Sequence, residues 1–254
     1  MNPLEFSVVI PALNEAESIP QLVSELSQVM GETGKSWEVI FVDDGSQDGT
    51  ADLLRALAST GGVVRVIIFK RRFGQSAALE AGFLAARGRF LLPMDADLQH
   101  DPRDFFPMLR QLEAEEADMI VGWRKDRKDG KLRSAISATA SRIISEVTGV
   151  PLHDHGCNLK VIRREPWHGQ RIPPGWHRFL GVIACRRGMV VRERVINHRP
   201  RLHGESHYDF MRIPVVARDA ARVTRLTPEA CRNLQGVSYE IAEILPPDPV
   251  AESI

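Results

Sequence analysis

No apolar run in this 254-residue chain approaches 18 residues, so no membrane-spanning helix is expected. Cysteine is scarce. Cys157, Cys185 and Cys231 are odd in number and far apart, which excludes a disulfide framework or a zinc-ligand spacing and suits a reducing compartment. Net charge is also missing: 33 Lys+Arg stand against 33 Asp+Glu, so charge selects neither for nor against an anionic partner. No strand end carries GxGxxG or GxxxxGK, which argues against a dinucleotide-binding dehydrogenase and a P-loop enzyme. The opening MNPLEFSVVIPALNE runs directly into a strand-like stretch and does not read as a leader peptide.

What is present is alternation. Apolar runs at 6–13, 37–46, 63–69, 89–97 and 117–124 read as strands. Between them, 14–30, 49–60, 74–87 and 101–115 read as helices; in the first, Ile19, Leu22, Val23, Leu26 and Met30 share one face. Strands alternating with helices at this spacing predict an α/β three-layer sandwich with a mainly parallel central sheet. Ligands of such sheets bind beyond the carboxyl ends of the strands. Three of those ends are polar: Pro11 to Asn14-Glu15, Asp43-Asp44, and Asp95-Ala96-Asp97.

Acids clustered on one rim need a cation. Mg²⁺ and Mn²⁺ prefer oxygen ligands, and Mg²⁺ takes one or two carboxylates plus substrate phosphates. Asp97 and Gln99 can both supply oxygens if the chain turns after the strand. Asp43-Asp44-Gly45-Ser46 can accept hydrogen bonds from a nucleoside base and ribose. Turn and cap duties explain single acids, but two adjacent carboxylates exceed what a turn requires. In "HDHGCNL" (153–159), adjacent His153, Asp154 and His155 cannot easily share one metal sphere, which argues against zinc. They are base candidates if the acceptor is a hydroxyl.

The ordered set VVIPALNEAESI, VIFVDDGSQDGT, FGQSAALEAGFLAARG and LLPMDADLQHDP resembles the successive motifs of family 2 inverting glycosyltransferases of the Rossmann-like GT-A fold. Downstream, HDHGCNLKVIRRE, WHRFLGVIACRRG and ERVINHRPRLHGESHYDF resemble the polyprenyl-phosphate glycosyltransferases. The likeness covers roughly residues 5–212.

The resemblance implies a metal-dependent inverting transfer from a nucleotide-sugar to a polyprenyl phosphate, undecaprenyl or dolichyl, with Mg²⁺ or Mn²⁺. Pro11, Asn14, Glu15 and Asp43 would hold the nucleoside. Asp95 and Asp97 would be the DxD acids, with Gln99 on the metal side. Arg124 and Arg133 would lie near the phosphates, Ser137 one turn beyond, and Asp154 near the reacting centre. Arg201 and Gly204-Glu205-Ser206-His207-Tyr208 match an Arg followed by Gly-x-Ser-Lys-Tyr. His207 replaces that lysine, so the cation falls to a protonated His207 or to Arg199 and Arg201. A phosphate acceptor also makes chemical sense of the arginines, because it carries its own negative oxygen and needs cations rather than a base.

These readings predict a catalytic domain over 1–212 and a helical extension with a loose tail over 213–254. Glycosyl transfer to a saccharide or lipid hydroxyl, with Asp154 as base, and silent nucleotide-sugar binding are the alternatives. The segments 134–149 and 213–226 are amphipathic and suit docking on the sheet or on a second subunit, or peripheral membrane contact. A cytoplasmic protein, or one peripheral on the cytoplasmic membrane face, is expected, with no nucleic-acid partner.

Overall fold

The computed structural model describes residues 4–128, 131–200 and 213–246, excluding the side chains of 131–133 and 213. In chain order the elements are β1 (Phe6–Ala12), α1 (Ile19–Gly31), β2 (Trp37–Asp43), α2 (Thr50–Ser59), β3 (Val64–Phe69), α3 (Gln75–Ala85), β4 (Phe90–Pro93), α4 (Phe105–Ala114) and β5 (Met119–Trp123). Then follow α5 (Lys131–Thr148), β6 (Lys160–Arg163), α6 (Arg164–Trp167), α7 (Leu180–Arg186), β7 (Val191–Val195), α8 (Ile213–Thr224), α9 (Pro228–Arg232) and β8 (Ile241–Leu245).

The strands form one sheet in the order β7-β5-β6-β4-β1-β2-β3-β8. β1 pairs parallel with β2 and β4, β2 with β3, and β5 with β7. β6 and β8 run the other way. The carboxyl ends of β1, β2, β4 and β5 therefore share a rim with the start of β6. The register aligns Ala12 with Asp43, so those two ends finish level.

Side chains alternate across each strand and fill two separate layers. Val8 and Ile10 pack with Ile19, Leu22, Leu54, Phe105 and Met108 from α1, α2 and α4. Val9, Ile40 and Val42 pack with Ala77–Phe83 of α3 and with α7 and α8. α3 is buried from Ser76 to Phe83, because it lies between the sheet and the later helices. A methyl group on Gly82 would collide with Val9, which explains how closely this helix approaches β1.

Three expectations change. The first helix starts at Ile19 rather than near 14, because the N–H groups of Asn14, Glu15 and Ala16 are drawn to Ser46, Thr50 and Asp48. The fourth strand stops at Pro93, leaving 94–101 as irregular chain. The tail expected to be loose contributes β8, which pairs antiparallel with β3, and Glu243 receives both Nε and Nη2 of Arg55 at 2.9 and 2.5 Å. Of the amphipathic segments, α8 buries Val216, Ala220 and Val223 in the core, and α5 buries Ile144. Docking thus accounts for the apolar face of α8, while Arg218 and Arg222 stay exposed. Among the described residues no helix is long and apolar enough to cross a membrane.

Candidate active site

The loops after β1 and β2 are laced together. Asn14 sits at φ 56° and donates its N–H to Ser46 Oγ at 2.9 Å, while its side-chain oxygen accepts from the Gln47 N–H at 2.8 Å. The Glu15 N–H donates to Thr50 Oγ1 at 2.9 Å and the Ala16 N–H to Asp48 Oδ2 at 3.2 Å. Gly45 has φ 76°, and a Cβ there would meet the Arg71–Arg72 backbone at 2.6 Å. Only glycine suits both conditions.

The neighbouring acids of β2 diverge. Asp44 Oδ1 accepts the N–H groups of Phe73 and Gly74 at 2.6 and 2.9 Å, anchoring the entry to α3. Burial pushes its pKa up against the pull of those amides. Asp44, expected at the nucleotide, thus has a structural task. Asp43 accepts from the Ser46 N–H at 3.3 Å through Oδ2, while its Oδ1 is buried with no partner among the described residues. A buried carboxylate oxygen without a donor is costly and suits a ligand N–H.

After β4 the chain turns through Leu98 at φ 61°, unusual for a branched apolar residue. Asp97 Oδ1 accepts the Gln99 N–H at 3.2 Å, and Gln99 Nε2 reaches the Arg199 carbonyl at 3.4 Å. Asp95 Oδ1 accepts from Gln75 Nε2 at 3.0 Å and Asn158 Nδ2 at 2.6 Å. His100 Nδ1 stands 3.9 Å from Asp95 Oδ2; burial lowers the histidine's pKa to about 4, so it is neutral. Asp97 and Gln99 thus share a hydrogen bond, while Asp95 is held by Gln75 and Asn158. Gln75 and Asn158 escaped notice, although both lie in motifs that had been singled out.

The chain matches the model of Glycosyl transferase family 2 over residues 7–167. The chain belongs to glycosyl transferase family 2. Within the family it is 41% identical over 216 residues to the dodecaprenyl-phosphate galacturonate synthase of Rhizobium johnstonii, covering 82% of this chain and 63% of that protein. It is 34% identical over 240 residues to the undecaprenyl-phosphate 4-deoxy-4-formamido-L-arabinose transferase of Pseudomonas aeruginosa, covering 94% and 70%. The glucosyl-3-phosphoglycerate synthase of Mycobacterium tuberculosis, solved with Mn²⁺, UDP and phosphoglyceric acid, superimposes with a TM-score of 0.65 at 19% identity, covering 90% and 78%. The fold is accordingly GT-A.

On the β5 side of this family 2 domain, Arg124 and Asp154 form a buried two-point pair, Nε–Oδ2 at 2.7 Å and Nη2–Oδ1 at 2.9 Å. Burial opposes the Asp154 charge, but Arg124 overrides it and holds the carboxyl at about 2. Asp154, a base candidate only for a hydroxyl acceptor, has both carboxylate oxygens engaged by Arg124, the arginine expected at the phosphates. Glu193 Oε1 accepts the His153 and Asp154 N–H groups at 2.8 and 3.0 Å and fixes that turn. His153 stacks on Trp123, ring centroids 4.1 Å apart. His155 is buried against Ser145 Oγ at 3.0 Å, its pKa lowered to about 4 by burial.

Arg199 is held by Glu25 at 2.7 Å and Asp101 at 2.8 Å, so two carboxylates already face its charge. Ser137 accepts from Arg127 Nη1 at 2.7 Å. Arg127 also lowers the Asp154 pKa. The Arg133 side chain and Arg201, Ser206 and His207 lie outside the described residues.

Proposed function

We propose that this family 2 chain transfers a sugar, with inversion, from a nucleotide-sugar to a polyprenyl phosphate, with Mg²⁺ or Mn²⁺ at Asp95, Asp97 and Gln99. The observation that carries the acceptor class is the engagement of Asp154 by Arg124. A hydroxyl acceptor needs a base in reach. A carboxyl at about 2 and histidines at about 4 are feeble bases at neutral pH. A phosphate monoester brings its own anionic oxygen. The dodecaprenyl- and undecaprenyl-phosphate relatives support the same class.

The donor set suits a hard cation. It is all oxygen, although among the described residues no three His, Cys, Asp or Glu side chains are grouped so as to hold a metal ion by themselves. Two acids leave room for donor phosphates to complete the sphere. When bound, such a cation neutralises the departing diphosphate. The chain's own residues do the rest. Asp43 Oδ1 accepts a nucleobase N–H, with Pro11, Asn14 and Glu15 walling that pocket. Gln75 and Asn158 aim Asp95. Ser137 with Arg127 faces the acceptor phosphate, and the same role is proposed for Arg133, Arg201, Ser206 and His207. Peripheral membrane contact belongs to the same reading: Val147 of α5 and Val215 of α8 are exposed on helices that also expose Arg142, Arg218 and Arg222.

The test is radiolabelled sugar transfer from a nucleotide-sugar panel, with Mn²⁺, to a short polyprenyl phosphate and to the matching polyprenol. Label should enter only the phosphate. Equal labelling of the alcohol overturns the reading.

A further inference from the structure

Lys160 opens β6 at the active-site rim, yet it is 1% exposed. Its strand neighbours Val161 and Ile162 are apolar core residues. A fully buried ammonium is unfavourable unless it is paired, and packing alone would be served by leucine or methionine. Burial lowers its pKa, Asp154 and Asp95 oppose that shift, and Arg124 adds to it. The lysine thus lies within electrostatic reach of Asp154, Asp95 and Arg124.

Its hydrogen bond shows what it does. The ammonium donates to the carbonyl oxygen of Cys157. The next residue, Asn158, donates its side-chain amide to Asp95 Oδ1 at 2.6 Å. One peptide unit therefore joins the lysine's grip to the orientation of the first DxD acid. The same turn is tied at its other end, where the Cys157 N–H meets the Asp154 carbonyl at 3.4 Å. An apolar residue at 160 would leave the Cys157 carbonyl without this donor and the turn free to shift.

We infer that Lys160 is a positioning residue for the acid pair: by holding the Cys157 carbonyl it sets Asn158 against Asp95 and fixes the carboxylate that receives the cation. This rests on the metal reading above. Groups behind a metal ligand commonly govern affinity by about 10–100-fold.

The test compares two neutral replacements in the full chain, so the lost positive charge cancels. Lys160→Gln keeps a donor for Cys157; Lys160→Met does not. Mn²⁺ binding, alone and with UDP, is read from the electron paramagnetic resonance of the free ion. The Met variant should bind about tenfold more weakly than the Gln variant. Asn158→Leu should lose a similar factor, and adding it to Lys160→Met should cost little more, as for groups acting in series. Equal affinity of the Gln and Met variants, with wild-type binding intact, overturns the role of Lys160 alone. Should both lysine variants fail to fold, unchanged Mn²⁺ affinity in Asn158→Leu overturns it. Wild-type protein that binds no Mn²⁺ in either condition removes the metal reading and this inference together.

Discussion

Arg124 and Asp154, thirty residues apart in the chain, meet as a buried bidentate ion pair at the carboxyl end of β5. Removing one member strands the other's charge in a low-dielectric site. Asp154→Asn should therefore destabilise the fold by about 3–5 kcal/mol. Arg124→Met combined with Asp154→Leu should recover much of that loss. Urea unfolding midpoints of the three variants measure both effects.

The pH–rate profile should report the acceptor rather than an enzyme base. Asp154 at about 2 and His100 and His155 at about 4 keep their charge states across neutrality. With a polyprenyl phosphate acceptor, kcat/KM should rise with pH through about 6, the second ionisation of a phosphate monoester, and then level off. A limb that persists with an acceptor of altered phosphate pKa would point to an enzyme group instead.

Stability, by contrast, should fall on acidification in two windows. The two histidines have folded pKa values near 4, below their ordinary 6.5, so the unfolded chain binds protons first. Their contribution is complete above about pH 6.5 and is lost as pH falls toward 4. Asp154, at about 2 against an ordinary 3.8, contributes fully above about pH 4 and loses its share as pH falls toward 2. Urea midpoints at pH 7.5 and 5 should differ less in His155→Gln than in the wild type, provided the variant folds.

Asp43→Ala should weaken nucleotide binding by about 10–100-fold, the usual worth of a hydrogen bond to a charged group. Because Oδ1 has no protein partner among the described residues, the loss of fold stability should be smaller than for Asp44→Ala. The latter frees the Phe73 and Gly74 amides that start α3. Calorimetry with UDP and other nucleoside diphosphates, paired with thermal unfolding, separates the two acids.

Asp97→Ala should reduce turnover by about 10²-fold or more while the protein stays folded, as expected for a group stabilising charge in the transition state. Single-turnover sugar transfer with circular dichroism as the folding control measures it. Retained turnover would contradict the metal assignment.

The sequence by itself determined the five strands β1 to β5, the helices between them and the acid-lined rim, because strand and helix periodicity are local and the polar groups follow their strands directly. Pro11–Glu15, Asp43 and Asp95–Gln99 were legible for that reason. Tertiary structure decided what each charge is used for. Asp44 turned to the amides of 73–74, Arg124 to Asp154, and Arg199 to Glu25 and Asp101, each partner lying 29 or more residues away in the chain. Spacing along a chain does not encode such meetings, and buried charges accept whichever partner packing delivers. β8 shows the same limit: an edge strand near the end of the chain exists only because β3, some 175 residues earlier, leaves its hydrogen-bonding edge open.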